Sequence, residues 1–290
     1  MSVGIKEREI RALVALLEDD SAFVQERVTA RLRELGMSAV PMVEAEAAKA
    51  DARTRKRIRS VLESIRRDAL LSEFAALARA PVFDLERGAF LLARTAYPTL
   101  DEHAYHRQLD DLAQAVQESL TAAASPVEIV SRFARILYGP AGLTGDFEDY
   151  YDPANSYINC VLDRRRGIPI SLSAIGLFVA RRVGLPFVGI SMPARFLLAY
   201  ENPDARILID PCEHGKIVTP EECRDRLDRL GVAWRESHLA TVAHRDIMFR
   251  MLINLITIFQ QTGNGAQVDL LGRMAATIRH ALPPGAHLPG

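Results

Sequence analysis

Asp210, Cys212 and His214 alternate along one short segment, so an extended backbone would turn a carboxylate, a thiol and an imidazole to the same side. Such a trio could hold a zinc-like ion, or act as nucleophile, base and orienting acid. Pro211 and the turn-forming Glu213-His214-Gly215-Lys216 end the strand before that face is built, and three ligands from one turn make a poor metal site. No metal is expected. Ser171 stands near a helix start, where backbone N–H groups gather and would suit a nucleophile beside an oxyanion hole. It has no histidine or lysine close in sequence to deprotonate it and no G-x-S-x-G elbow, so capping is its plainer role. His103 and His106 sit at i, i+3 without an HExxH pattern or a third ligand and are expected at the surface. Cys160 is expected to be a small buried thiol ahead of Arg164-Arg165-Arg166, one of whose guanidiniums would bind a buried carboxylate or loop carbonyls. Neither a phosphate loop nor a dinucleotide glycine pattern occurs, so no cofactor is expected.

The chain around these residues has 290 positions, 49% hydrophobic and 25% charged, with 36 basic against 37 acidic side chains. That is a globular composition, which excludes a collagen-like, wholly disordered or disulfide-scaffold protein. A net charge of -1 argues against a uniformly basic nucleic-acid binder. The run from Arg53 to Arg67, with Arg53, Arg55, Lys56, Arg57, Arg59, Arg66 and Arg67, keeps a nucleic-acid patch as a minor reading; it lacks interleaved aromatics and reads first as a solvated helix face. Cys160, Cys212 and Cys223 are too few for a framework, there is no signal-peptide pattern, and the longest apolar stretch, Met248 to Phe259, carries Arg250 and Asn254. Reduced thiols, a cytoplasmic location and no membrane partner are expected.

Periodicity divides the chain into helix, then a mixed region, then helix. From Glu7 to Arg67 apolar residues recur at helical spacing, and an offset of thirty residues superimposes Val28 on Ile58, Leu32 on Leu62 and Leu35 on Ile65. A second helical zone runs from Leu85 to Tyr138, restarted at Ser125-Pro126-Val127-Glu128. A helix is expected over Ser171 to Val183, followed by strands at Phe187 to Met192, Phe196 to Tyr200 and Arg206 to Asp210, the last two joined by a hairpin at Glu201-Asn202-Pro203-Asp204. From Pro220 the chain returns to helix and ends in a hairpin of Arg245 to Thr262 and Gln267 to Leu282. The fold class is α+β, mostly helical, with a small antiparallel sheet.

The block Asn155-Ser156-Tyr157-Ile158-Asn159, continued by Val161 to Ser173, by Ala180-Arg181-Arg182-Val183-Gly184-Leu185-Pro186, by Pro193-Ala194-Arg195-Phe196-Leu197-Leu198 and by Ile209-Asp210-Pro211, resembles the bacterial transglutaminase-like proteins of the SirB type. The resemblance extends from about Phe83 to Leu282, where Met251 to Leu282 is similar in spacing to tetratricopeptide helices; the stretch from Leu16 to Gly36 resembles a HEAT repeat. Together these give an expected organisation of a HEAT-like pair at 1–75, a transglutaminase-like core with helical lead-in at 76–240 and a tetratricopeptide-like hairpin at 241–290.

The resemblance implies a cleft in which a Cys at a helix start faces a His and an Asp on neighbouring strands, the helix end lowering the thiol pKa. Two residues past Gly167 and fifteen before Gly184 stands Pro169, in place of the Cys. The His position holds Arg195, a permanent cation that is no general base near neutral pH. Asp210 alone remains, expected to pair with Arg195 as a clamp or as part of an anion-binding wall, with Asn155, Ser171 and Cys212 as further pocket-lining candidates. The reading is a noncatalytic binder of an unidentified protein or peptide, through helical faces or through this cleft. The competing reading is a hydrolase or acyl transferase rebuilt on Ser171 or Cys212.

Overall fold

Amphipathic stripes at helical spacing fold the first part of the chain into four helices, α1 (Ser2–Leu16), α2 (Ala22–Leu35), α3 (Val40–Ala47) and α4 (Ala52–Arg79). The computed structural model describes residues 2–281, so Leu282, the expected end of the last helix, lies outside the described residues. The chain divides into two compact units, Met1–Ala76 and Leu77–Gly290.

In the first unit, Ile10, Val14, Val28, Leu32, Val43, Ile58, Val61, Leu62 and Ile65 form one buried core, each large apolar side chain contributing about 1.5–3 kcal/mol on burial. The residues aligned by the thirty-residue offset all face it, Leu35 packing from its edge. Gly36, at φ +62°, supplies the left-handed turn that stops α2. The arginine run is largely engaged within this unit. Arg57 donates to the Leu17 carbonyl at 2.7 Å and to Asp20 at 2.9 Å, Arg53 also pairs with Asp20, Arg55 donates to the carbonyls of Ala47 and Ala50, and Arg66 pairs with Glu44.

The second unit opens with α5 (Leu85–Arg94), α6 (Glu102–Ser119) and α7 (Pro126–Tyr138), whose starts are capped by Asp84, Asp101 and Ser125. At Ser125 the cap is reciprocal: its hydroxyl accepts from the Glu128 N–H while the Glu128 carboxylate accepts from the Ser125 N–H. A two-residue parallel pair, β1 (Thr144–Gly145) with β2 (Arg166–Gly167), brackets the short helix α8 (Ile158–Arg164). Next comes α9 (Pro169–Arg182), buried continuously from Pro169 to Ala180. It packs on β3 (Phe187–Ile190) and β4 (Leu197–Asn202), which with β5 (Ala205–Asp210), β6 (Lys216–Val218) and β7 (Thr241–Val242) make an antiparallel sheet in the order β6-β5-β4-β3-β7. The fold is α+β and mostly helical. The β4–β5 hairpin closes at Asn202↔Ala205, where the Asn202 side chain accepts from the N–H groups of Asp204 and Ala205.

Two contacts fix the central helix. Tyr138 of α7 donates to the Leu172 carbonyl at 3.1 Å, and Gly176 makes room for its ring, since a Cβ there would stand 2.3 Å from the Tyr138 hydroxyl. At the other end, the buried Glu86 carboxylate accepts from Arg181 at 2.7 Å and from Arg182 at 2.7 and 2.8 Å, with His106 Nδ1 at 2.9 Å, tying α5 and α6 to the last turn of α9. After α10 (Pro220–Arg229) the chain ends in α11 (His244–Gln261) and α12 (Gly265–His280), which pack on each other while α11 also lies against α5 and α9. Among the described residues no helix is long and apolar enough to cross a membrane.

The strand limits differ from the sequence reading by at most two residues. Met192 and Phe196 are buried but lie outside the ladder, because β3 ends before Pro193 and β4 begins after the left-handed turn at Ala194. Four strands were not expected: the two-residue pair β1 and β2, β6 at the sheet edge, and β7, which covers the opposite edge over only two residues.

Candidate functional site

Pro169 occupies the first turn of α9, a position where its missing N–H costs nothing because no intrahelical acceptor is available. Arg195 follows Ala194, whose φ of +59° turns the β3–β4 connection so that the guanidinium enters the same cleft. Asp210 ends β5 with no solvent exposure. The three residues that the resemblance assigns to the triad therefore meet at one place, Pro169 and Arg195 on the wall and Asp210 just behind it.

The pairing there is not the simple Arg195–Asp210 clamp that the sequence implied. Asp210 Oδ2 accepts from Arg226 of α10 at 2.7 Å, whereas Arg195 Nε stands 3.8 Å away. Glu213 repeats the pattern, accepting from Arg226 at 2.5 Å with Arg195 at 3.7 Å. Asp210 Oδ1 accepts from the Cys212 N–H at 2.9 Å, which completes the carboxylate's bonding. Arg226 is thus the close partner of both acids and Arg195 the outer one. Sequence reasoning missed Arg226 because α10 has a strongly charged pattern, which marks solvated helix surface until the fold brings its inner face to β5.

The cleft has a volume of about 710 Å³. Arg195, Arg226, Lys216 and Arg229 line it against a single lining carboxylate, Glu213. Phe147 and Tyr150 make an aromatic wall; the Arg195 guanidinium lies 5.5 Å from the Phe147 ring centre, within cation–π range. Lys216 pairs with Glu222 at 2.7 Å, and Arg229 donates to the Asp225 carbonyl at 3.2 Å. The wall mixes apolar and charged groups, and with Asp210, Glu213 and Glu222 set against its four cations it keeps a small positive excess, centred on Arg195 and Arg229, that suits an anion.

The expected pocket-lining residues lie behind this wall rather than on it. Ser171 is fully buried, and it is the third residue of α9, not the cap: Ile168 holds the cap position. Its hydroxyl accepts from the Ile168 N–H at 3.1 Å and donates to the Asn155 carbonyl at 2.6 Å, so its only proton is engaged. Asn155 is buried too, donating to the Asp149 carbonyl at 2.8 Å, with its Oδ1 lacking a partner. Cys212 is buried in the 3₁₀ turn Pro211–Glu213, and burial, reinforced by the charge of Asp210, pushes its thiol up to about 12. Asp210, Cys212 and His214 share no face: the strand stops at Asp210, and His214, at φ +54°, turns its Nδ1 to the Tyr138 carbonyl at 3.3 Å. Among the described residues no three His, Cys, Asp or Glu side chains converge as metal ligands.

The other singled-out residues stand apart from the cleft. Cys160 is half-buried against the Tyr97 hydroxyl at 3.0 Å, and burial raises its pKa. Arg164 pairs with Asp152 at 2.6 Å and lies 3.6 Å from the buried Asp146, while Arg165 donates to the Ala141 carbonyl. His106 is bound to Glu86 rather than loose at the surface.

A sequence profile described as the transglutaminase-like superfamily matches residues 103–253. The chain is 35% identical over 205 residues to a UPF0162 protein of Xylella fastidiosa (strain 9a5c), covering 67% of this chain and 70% of that one. It is 33% identical over 137 residues to a UPF0162 protein of Vibrio cholerae, about half of each chain. Over 152 residues it is 29% identical to human F-box only protein 21, half of this chain and 24% of that one. No solved structure matches.

Proposed function

The chain belongs to the transglutaminase-like superfamily, and from that premise we propose that it is a noncatalytic, regulatory binding protein that has kept the cleft of the fold and lost its chemistry. The observation that supports this reading is the lining of the cleft: Pro169 and Arg195, which the family resemblance puts at the nucleophile and base positions, both stand on its wall. A ring-closed imino acid offers no attacking atom, and a guanidinium accepts no proton near neutral pH. The residues that could rebuild a site are badly disposed for it. The Ser171 proton is held by the Asn155 carbonyl, and the Cys212 thiol, up at about 12, is almost wholly protonated at neutral pH and so is a poor nucleophile.

What remains is recognition of a peptide or protein segment. The cleft falls within the usual volume of ligand sites and is walled by cations and aromatic rings. The finer resemblances belong to the same proposal: in chain order, a HEAT-like pair at 1–75, a SirB-type core at 76–240 and a tetratricopeptide-like hairpin at 241–290, the helical segments offering faces to a partner in the cytoplasm. A core shared with about a quarter of human F-box only protein 21 supports treating it as a module.

The test is to incubate the folded protein at neutral pH with fluorophosphonate and iodoacetamide probes and with ester and amide substrates, then map adducts by mass spectrometry. No turnover is expected, Ser171 stays unmodified, and Cys212 reacts only once the protein is denatured. Saturable turnover, abolished by S171A or C212A, would replace this reading with the rebuilt hydrolase or acyl transferase.

A further inference from the structure

Arg195 has donors that the protein leaves unused. Its guanidinium is mostly buried, with 20% of the side chain exposed, yet neither neighbouring carboxylate is within hydrogen-bond distance, at 3.8 Å for Asp210 and 3.7 Å for Glu213. The same two oxygens already accept from Arg226 at 2.7 and 2.5 Å. The acids hold Arg195 in place by charge and the Cys212 sulfur lies beside it as a weak acceptor, which still leaves most of the five N–H groups of its planar fork unbonded at the cleft wall. Arg229, also on that wall, has a backbone carbonyl as its bonded partner and keeps its remaining donors.

From this, we propose that the cleft is a carboxylate receptor, in which the Arg195 fork grips the carboxylate of a short peptide, Arg229 supports it from the wall, and Phe147 and Tyr150 contact the adjoining residue. The proposal rests on the noncatalytic binding reading and names the ligand group. Arginine forks match carboxylates in a bidentate, charge-assisted geometry that a point-charge ammonium does not reproduce. The cleft, about 710 Å³, holds more than a lone ion. Glu213 shares the wall and sets the charge of the ligand: a phosphate dianion beside it meets twice the repulsion that a monoanionic carboxylate meets. A chain terminus and an Asp or Glu side chain present the same group, and the experiment separates them.

The full-length protein is titrated with acetyl-Gly-Gly-Leu as free acid and as amide, with acetyl-Gly-Glu-Gly-amide and its Gln counterpart, and with acetyl-Gly-phosphoSer-Gly-amide, while the arginine Nε–Hε resonances are followed by NMR. At least one carboxylate peptide is expected to bind about 10-fold more tightly than its neutral counterpart and to shift the Arg195 resonance. Whether the free acid or the Glu peptide does so identifies the source. R195K, which keeps the charge and loses the fork, is expected to weaken binding by about 10-fold. R229A, altering an exposed residue, weakens it without disturbing the fold. Equal binding of acid and neutral peptides, tighter binding of the phosphopeptide, an unmoved Arg195 resonance, or no binding at millimolar peptide overturns the proposal. Equal binding at the cleft leaves noncatalytic recognition standing, whereas substrate turnover removes that reading itself.

Discussion

Asp210 has no exposure, and its charge is balanced at close range by Arg226, with Arg195 more than an ångström farther out. Removing the near partner strands a buried carboxylate, a change that costs about 3–5 kcal/mol, whereas replacing both groups by apolar ones would cost far less. R226M is therefore expected to lower unfolding stability in urea by about 3–5 kcal/mol, and R195M by less than half as much. Equal losses would mean that the two guanidiniums share Asp210 evenly. That Pro169, Arg195 and Asp210 would lie together followed from the family resemblance, each sitting in a short motif with fixed spacing. Arg226 was not, being sixteen positions beyond Asp210 and framed by Arg224, Asp225 and Asp228 on a helix that gives no local sign of facing inward.

At the scale of the element, the position of the cleft depends on how closely α7 approaches α9. A Cβ at Gly176 would lie 2.3 Å from the Tyr138 hydroxyl and 2.6 Å from Leu198 Cδ1, so the helix needs glycine there despite its poor helix propensity. G176A is expected to destabilise by about 1–3 kcal/mol, through overpacking that exceeds the propensity gain. The penalty should shrink in a Y138F background, where the nearer clash is gone, and chemical denaturation of the four proteins of the double-mutant cycle measures this. An additive cycle would show that α9 is not pinned by Tyr138. Long helices and the β4–β5 hairpin carried sequence signals because periodicity and turn chemistry repeat over many residues. The edge strands β6 and β7, three and two residues long, are too short to show a period. Ser171 misled for a different reason: a hydroxyl near a helix start has the same sequence appearance whether it caps the first turn or, as here, reaches back from the third position to the Asn155 carbonyl.

For the whole molecule, the division at Ala76 and Leu77 separates one buried cluster, drawn wholly from residues between Ile10 and Ile65, from the cores of the second unit. The single tryptophan, Trp234, packs against a cluster of the second unit and so reports on that unit alone. Leu32 is fully buried in the first core, and truncating such a leucine removes transfer free energy and leaves a cavity, together about 2–5 kcal/mol. In L32A, urea unfolding followed by far-ultraviolet circular dichroism should begin earlier, since α1 to α3 and most of α4 belong to the first unit, while the midpoint of Trp234 fluorescence stays where it is in the parent chain. A fluorescence midpoint that moves in step with the dichroism would make the chain a single cooperative body. The same comparison bears on the function proposed for the cleft: its lining residues all belong to the second unit, so L32A should bind the carboxylate peptides with unchanged affinity under conditions where the second unit is folded.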